Sequence, residues 1–276
     1  MEYSPKKMQE MLSNKDFNLK KKFGQNFIID ENIIKNIINK SEIDKETLII
    51  EIGPGAGSLT YGLAKFAKNV VCYEIDTTLE EILQENLSEF NNVDIFYKDF
   101  LQANLKEDLN KYDYKKLYVV ANLPYYITTP IIMKLIEDKI DVDKIVVMVQ
   151  KEVGDRFKAV PGSKDYSSLS IFLKYYFEIT KLMDVSKNVF LPKPNVDSIV
   201  VSFTKQKSKI LVKNEELFFK LVRDSFKQKR KTLRNNLKDY NLDIIANILE
   251  KYNLNLTVRA EQISIEIFAD IANNLG

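Results

Sequence analysis

Short apolar runs alternate with longer amphipathic stretches between residues 48 and 149 of the chain. Five of these runs have the length of a buried strand, and they lie at 48–52, 70–75, 93–97, 117–121 and 145–149. The stretches between them are long enough for helices. Strands and helices in alternation favour a parallel sheet that is covered on both faces. The pattern therefore predicts an α/β fold.

Two further apolar runs of strand type, at 177–183 and 198–204, have no clear helix between them. Pro192 and Pro194 lie in the connecting segment, and proline cannot continue a β ladder. We therefore expect these two runs to close the mostly parallel sheet as an antiparallel pair.

After Thr204 the apolar residues recur only at the spacing of amphipathic helices. This change predicts an α/β domain over 23–207 and a small C-terminal all-helical domain over 208–276. Residues 1–22 are polar and basic with little apolar periodicity, so we interpret them as a basic flexible arm.

The composition removes several kinds of chemistry, because the 276 residues include no histidine and a single cysteine, Cys72. Ser-His and Cys-His pairs, zinc clusters and disulfides are excluded, and we expect no metal. Cys72 lies in an apolar run, which indicates a buried side chain rather than a reactive thiol. The chain shows no apolar stretch near the ~18 residues of a membrane span and no signal-peptide core at its start. We therefore expect a cytoplasmic protein that makes no membrane contact.

Positive charge is concentrated in one part of the chain. Residues 205–238 contain twelve Lys or Arg against three acids, although the net charge of the whole chain is only +2. Clustered Lys and Arg favour a phosphate-rich partner, since binding releases the counterions of that partner. A solvated lysine-rich surface is the alternative interpretation.

A glycine-rich segment, EIGPGAG at 51–57, follows the first strand run directly and precedes a helix-compatible stretch. Glycines at such a turn allow a ligand to approach the backbone near a helix N-terminus. The glycines at 53, 55 and 57 (among them the candidates Gly53 and Gly55) do not fit the G-x-G-x-x-G spacing, because the third glycine comes one residue early, and the segment is not a phosphate loop. Both points argue against NAD and ATP.

Two acids follow the next two strand runs. Glu74 lies at the end of the second, where this architecture places an acid that accepts hydrogen bonds from ribose hydroxyls. Asp99 follows the third, where a carboxylate can accept from an adenine amino group. Ordinary surface acids at strand ends are the alternative.

The most specific motif, VVANLPYYITTP at 119–130, ends the fourth strand run. The side-chain oxygen of Asn122 and a neighbouring main-chain carbonyl can accept both N–H bonds of a planar amine, while a Tyr ring stacks on the base. Drawing those hydrogens out of the ring plane returns electron density to the nitrogen, and the same dipoles stabilise the charge that develops during attack on a sulfonium methyl. This chemistry needs no histidine.

In these motifs the chain resembles the ribosomal RNA adenine N6-dimethyltransferases, and within them the KsgA type that acts on small-subunit RNA. The matching segments cover about residues 20–275 and include 23–27, 51–57, 73–76, 98–101, 119–130, 149–153, 161–166, 190–198, 229–235 and 259–262. The resemblance implies a class I, Rossmann-like methyltransferase fold that uses S-adenosylmethionine.

The resemblance also implies roles for individual residues. Asn26 and Ile28 close over the cofactor, Gly53 and Gly55 approach it through the backbone, Glu74 holds its ribose and Asp99 its adenine. The catalytic motif consists of Asn122, Leu123, Pro124 and Tyr125, and Asn122 lies between the cofactor and the target amine. Tyr125 and Phe190 sandwich the target base. Tyr126 departs from the family pattern, which usually has Asn there, and this leaves the base contacts in the pocket less defined.

The basic segment supports an RNA substrate. Phe226 and Leu233 are expected to dock one face of a basic helix, and the predicted RNA-binding residues are Lys227, Lys229, Arg230, Lys231 and Arg234. Such a surface contacts phosphates and reads little sequence.

The resemblance implies the leading hypothesis, which is dimethylation of two adjacent adenosines in the 3′-terminal hairpin of 16S rRNA, within the small (30S) ribosomal subunit or its precursor, with a role in subunit biogenesis. We expect a monomer without a protein partner. Three alternatives stay open: a 23S rRNA methyltransferase of the macrolide-resistance type, a DNA adenine methyltransferase, and a non-catalytic RNA-binding assembly factor.

Overall fold

The computed structural model describes residues 26–123, 127–206 and 210–276, and these residues divide into two compact units. The first unit comprises residues up to 154 together with 180–204, and the second comprises 155–179 and 205–276.

The strands of the chain form one large sheet and one short ladder. They are β1 (Phe27–Ile28), β2 (Thr47–Ile52), β3 (Asn69–Tyr73), β4 (Val93–Phe96), β5 (Lys116–Asn122), β6 (Lys144–Gln150), β7 (Phe177–Val185), β8 (Phe190–Leu191) and β9 (Ser198–Lys205). The large sheet has the order β4-β3-β2-β5-β6-β9-β7, while β1 pairs with β8.

Neighbouring strands from β4 through β6 are parallel, and β9 is antiparallel to β6. The predicted mostly parallel sheet with an antiparallel closing strand is therefore confirmed. The central strand β2 is buried along all six residues, with Ile49 and Ile50 inaccessible on opposite faces. Burial on both faces explains why the parallel strands read as continuous apolar runs.

Helices connect the strands of the first unit. They are α1 (Glu31–Ser41), α2 (Ser58–Phe66), α3 (Glu80–Leu87), α4 (Leu105–Leu109), α5 (Thr128–Glu137) and α6 (Lys151–Phe157), whose last residues belong to the second unit. Helix α1 begins after Asp30, whose carboxylate accepts from the main-chain N of Asn32 at 2.8 Å. Such an N-cap satisfies a donor that the first helical turn leaves unpaired.

The second unit is helical, with α7 (Ser168–Tyr176), α8 (Glu215–Ser225), α9 (Leu233–Asn236), α10 (Leu242–Lys251) and α11 (Ile265–Leu275). Its core differs from the predicted domain of 208–276, because Tyr166, Ile171 and Tyr175 pack into the same cluster as Phe218 and Leu221. Residues 155–179 therefore belong with the C-terminal helices, whereas the sequence analysis placed them in a domain of 23–207. The predicted arm at 1–22 lies outside the described residues.

The buried position predicted for Cys72 is confirmed, since its side chain is fully inaccessible. In the part of the chain that the structure describes, the helices are too short or too polar to cross a membrane.

Candidate active site

The residues predicted to bind a cofactor and a target amine lie at the carboxyl ends of four adjacent strands. Gly53 follows β2, Glu74 follows β3, Asp99 lies three residues beyond β4, and Asn122 is the last residue of β5. Because parallel strands end at the same edge of a sheet, these four groups are brought to one edge from positions as much as 69 residues apart.

The turn after β2 uses its glycines in two different ways. Gly53 donates its main-chain N–H to the carbonyl of Tyr73 at 2.9 Å and has a φ of +68°. Among the residues that the structure describes, none except its sequence neighbours lies within 4 Å of where its Cβ would be. Gly55 has a φ of +61°, and a Cβ there would lie 2.8 Å from Cε1 of Phe27. The backbone at Gly53 is therefore open to a ligand, whereas Gly55 is required by the packing of the protein itself.

Glu74 is 4% exposed and its carboxylate is tied to the same turn. It accepts from the main-chain N of Gly55 at 3.2 Å and from that of Asp76 at 2.8 Å. Burial raises the pKa of Glu74 above its usual range, and the charge of Asp76 adds to this effect. A carboxylate has about four acceptor positions, so these two hydrogen bonds leave capacity for ribose hydroxyls.

Asp99 caps the short 3₁₀ turn Phe100–Gln102. Its Oδ1 accepts from the main-chain N of Leu101 at 2.9 Å, and Oδ2 accepts from Nε2 of Gln102 at 3.4 Å. The second contact is long for a hydrogen bond, so Oδ2 is the oxygen that can accept from an adenine amino group.

The amide of Asn122 is held by one defined contact. Its Nδ2 donates to the main-chain oxygen of Asn26 at 2.8 Å. Among the described residues no donor reaches its Oδ1. Leu123 follows it and is buried, while Pro124 and Tyr125, together with Tyr126, lie outside the described residues.

The structure places two predicted site residues in the core. Ile28 pairs with Phe190 in the antiparallel ladder of β1 and β8, and each side chain is 3% exposed, in one cluster with Val185. This ladder was missed because two-residue strands carry no periodic signal. The side chain of Ile28 is therefore part of the core, so a contact of this residue with a cofactor would use its main chain. Stacking of a base on Phe190 stays a prediction.

The basic segment is a loop rather than the expected helix. Residues 226–232 connect α8 to α9, and the five predicted RNA-binding residues, in this connection and in the first turn of α9, are all exposed. The main-chain N–H groups of Leu233 and Arg234 donate to the carbonyls of Val258 and Leu256 at 2.8 and 3.1 Å. These two hydrogen bonds hold the start of α9 against a segment distant in sequence. Leu233 is buried as predicted. Phe226 is partly buried.

One predicted RNA-binding residue has a further partner in the same unit, since Nζ of Lys229 donates to the main-chain oxygen of Lys164 at 2.7 Å. Elsewhere in the described ranges, no group of three His, Cys, Asp or Glu side chains is arranged to hold a metal ion.

A mostly parallel sheet with an open glycine turn, acids after the next two strands and an asparagine at the end of the fourth defines a class I S-adenosylmethionine-dependent methyltransferase. The chain belongs to the ribosomal RNA adenine dimethylase family, whose model matches residues 16–276. The enzyme therefore transfers methyl groups from S-adenosylmethionine to adenines of ribosomal RNA. The open backbone at Gly53 and the acceptors of Glu74 and Asp99 fit the adenosine half of that donor.

Known proteins agree with this assignment. The chain is 48% identical over 277 residues to "Ribosomal RNA small subunit methyltransferase A" of Staphylococcus aureus (strain bovine RF122 / ET3-1), covering 97% of this chain and 93% of that protein. The crystal structure of a dimethyladenosine transferase from Plasmodium falciparum is 26% identical, with a TM-score of 0.74 over 89% of this chain and 95% of that one. The 23S rRNA methyltransferase ErmE has the same fold, with a TM-score of 0.72 at 24% identity over 90% and 99% of the two chains.

Proposed function

We propose that this enzyme dimethylates the N6 amino groups of two adjacent adenosines in the 3′-terminal hairpin of 16S rRNA, acting on the small (30S) subunit or its precursor during subunit biogenesis. The observation that carries the proposal is the 48% identity to a Staphylococcus aureus protein named for small-subunit RNA methylation, over nearly the full length of both chains. With that substrate the enzyme works in the cytoplasm, as a monomer.

S-adenosylmethionine supplies an electrophilic methyl group on its sulfonium sulfur. Glu74 accepts hydrogen bonds from the ribose hydroxyls. Asp99 accepts a hydrogen bond through Oδ2 from the adenine amino group. Gly53 lets the donor approach the backbone, because nothing in the described part of the chain, apart from its sequence neighbours, lies within 4 Å of the position of its missing Cβ. Asn26 acts here through its main-chain oxygen, which holds the catalytic amide in place.

Asn122 activates the target amine. Because its Nδ2 is engaged by Asn26, its Oδ1 is the end of the amide that accepts an N–H of the adenine. A main-chain carbonyl in the segment of Leu123 and Pro124 accepts the second N–H. Together these acceptors raise the electron density on the nitrogen and stabilise the positive charge that develops on it, and water takes the released proton.

The target base is extruded from its stack and held between aromatic rings, which we assign to Tyr125 and Phe190. Extrusion costs a few kcal/mol, and stacking on an aromatic ring returns ~1–3 kcal/mol for each face. Since Phe190 is 3% exposed, its part in the sandwich requires the groups that cover its ring to move when RNA binds.

We assign RNA phosphate contacts to the exposed loop and helix start formed by Lys227, Lys229, Arg230, Lys231 and Arg234. These side chains lie close in sequence on the surface of the helical unit and can neutralise several phosphates together. Nζ of Lys229 also donates to the main-chain oxygen of Lys164. We therefore expect Lys229 to contribute less to phosphate binding than its neighbours.

The test is transfer of labelled methyl groups from S-adenosylmethionine to small subunits, large subunits and bare DNA in parallel, followed by nucleoside analysis. We expect N6,N6-dimethyladenosine in small-subunit RNA alone. Label in large-subunit RNA indicates the resistance-type activity, and label in DNA a DNA methyltransferase. Binding to small subunits without transfer to any substrate contradicts the proposed catalysis and leaves an assembly factor.

A further inference from the structure

Asp108 in α4 holds the two residues that come immediately before the cofactor acids. Its carboxylate accepts from the hydroxyl of Tyr73 at 2.9 Å and from Nζ of Lys98 at 2.7 Å. Tyr73 directly precedes Glu74, and Lys98 directly precedes Asp99. One carboxylate, 11% exposed, therefore connects two neighbouring strand ends at the adenosine site.

Aromatic packing stiffens this connection. The ring of Tyr73 stacks on Phe96 with centroids 5.5 Å apart, and it meets Phe100 edge-on at 5.3 Å. Phe100 is the first residue of the turn that Asp99 caps, and Nζ of Lys98 lies 4.8 Å from the ring centroid of Phe96. Burial, followed by the hydrogen bond to Asp108, raises the pKa of Tyr73, so its hydroxyl remains a donor.

We infer that Asp108 is a positioning residue for the adenosine half of the methyl donor, acting through Lys98 on Asp99 and through Tyr73 on Glu74. The inference rests on the proposed assignment of those two acids. Charge-assisted hydrogen bonds are roughly twice as strong as neutral ones. Loss of the carboxylate charge therefore weakens the anchor of the turn at 99–102 without altering any group that touches the donor.

Strand β4 provides a control with the same kinds of partner. Asp94 in β4 also accepts from a tyrosine hydroxyl, that of Tyr112, and pairs with a lysine, Lys111, at 3.3 Å. Neither partner is adjacent in sequence to an acid of the proposed site. Asp94→Asn therefore removes a carboxylate with the same kinds of partner while leaving the residues before Glu74 and Asp99 untouched.

The experiment measures binding of S-adenosylhomocysteine to the full chain by calorimetry, together with the thermal midpoint and the methyl-transfer kinetics. We expect Asp108→Asn to weaken binding about tenfold and to raise KM for the donor equally, with kcat within about twofold of wild type. Asp94→Asn should bind within about twofold of wild type. Tyr73→Phe, which keeps the ring packing, should weaken binding less than Asp108→Asn and in the same direction.

Asp99→Ala separates the inference from the assignment on which it rests. Wild-type binding by Asp99→Ala defeats the assignment of the adenine site. Weak binding by Asp99→Ala with Asp108→Asn indistinguishable from Asp94→Asn overturns the positioning role. If Asp108 acts mainly through Asp99, adding Asp108→Asn to Asp99→Ala changes binding little further. Should Asp108→Asn fail to fold, Tyr73→Phe decides the question, and unchanged binding by that variant overturns the inference.

Discussion

The side-chain Nδ2 of Asn122 donates to the main-chain oxygen of Asn26 at 2.8 Å, although 96 residues separate them in the sequence. The acceptor is a backbone atom, so the orientation of the amide depends on where the chain runs before β1. This contact assigns the two ends of the amide different tasks, with nitrogen as the anchor and oxygen as the acceptor for substrate.

Asn122→Ala removes the acceptor and should lower kcat for methyl transfer by at least ~10²-fold, the usual effect of deleting one oriented polar group in a transition state. Binding of S-adenosylhomocysteine should change by less than about threefold, because the assigned ribose and adenine contacts, Glu74 and Asp99, follow β3 and β4, which lie two and three strands from β5. Asn26→Ala keeps the main-chain acceptor and should retain most of kcat. Near-wild-type turnover by Asn122→Ala would contradict the assigned mechanism.

Gly53 and Gly55 offer a comparison between a site open to ligand and a site filled by protein. Alanine at either position costs about 1–2 kcal/mol of stability, since both have positive φ. Gly55→Ala should cost a further ~1–3 kcal/mol, because its methyl group meets the ring of Phe27. Gly53→Ala should also bind S-adenosylhomocysteine more weakly than wild type, in addition to being less stable. Urea unfolding measures the stability of each variant, and calorimetry measures its affinity for S-adenosylhomocysteine. Equal destabilisation of the two variants contradicts the contact assigned between the Gly55→Ala methyl group and the ring of Phe27.

Sequence reasoning located the groups whose position follows from strand topology. Glu74, Asp99 and Asn122 each end or follow a continuous apolar run, and parallel pairing alone brings such ends together. It did not locate contacts made by pairs of residues without periodic spacing. Asp108 reaches Tyr73 across 35 residues, and the β1–β8 ladder that buries Phe190 is two residues long. Residues 155–179 pack into the core of the C-terminal helices through their apolar side chains. The order of elements along the chain does not indicate which of the two cores such a segment packs into.

Glu51 in β2 should make the free energy of unfolding depend on pH. Its side chain is 1% exposed, and burial raises its pKa from 4.5 to about 8, with the charge of Glu74 adding to the shift. The Cys72 thiol lies 3.7 Å from Oε2 of Glu51 and donates to it. Between pH 4.5 and 8 the folded protein therefore keeps the proton on the Glu51 carboxyl, whereas the unfolded chain releases it. The free energy of unfolding contributed by Glu51 should be constant below pH 4.5, fall between pH 4.5 and 8 by up to about 1.4 kcal/mol per pH unit, and level off above pH 8.

Glu51→Gln retains the shape of the side chain without an ionisable group, so it should be more stable than wild type at pH 8 and should flatten the pH profile. Urea unfolding at pH 5.5, 7 and 8.5 measures the effect. Glu74, whose pKa is also raised, keeps part of the slope in this variant. A profile that does not change on substitution shows that Glu51 is ionised in the folded protein, which contradicts the buried neutral acid.

The exposed cations between α8 and α9 should control how RNA binding depends on salt. Arg230→Ala combined with Arg234→Ala removes two charges assigned to phosphates, and the slope of log K against log salt should decrease by about 1–2. Lys238→Ala combined with Lys251→Ala removes two exposed charges from the same unit outside the assigned surface, and it should leave the slope unchanged. Filter binding of small subunits between low and moderate salt measures both variants, while binding of S-adenosylhomocysteine verifies that the cofactor site is intact.

Because phosphate contacts position RNA without reading its sequence, both variants should still methylate only small-subunit RNA. An equal decrease of the slope in the two double variants would show that the effect comes from overall charge, and the RNA surface would then have to be assigned elsewhere.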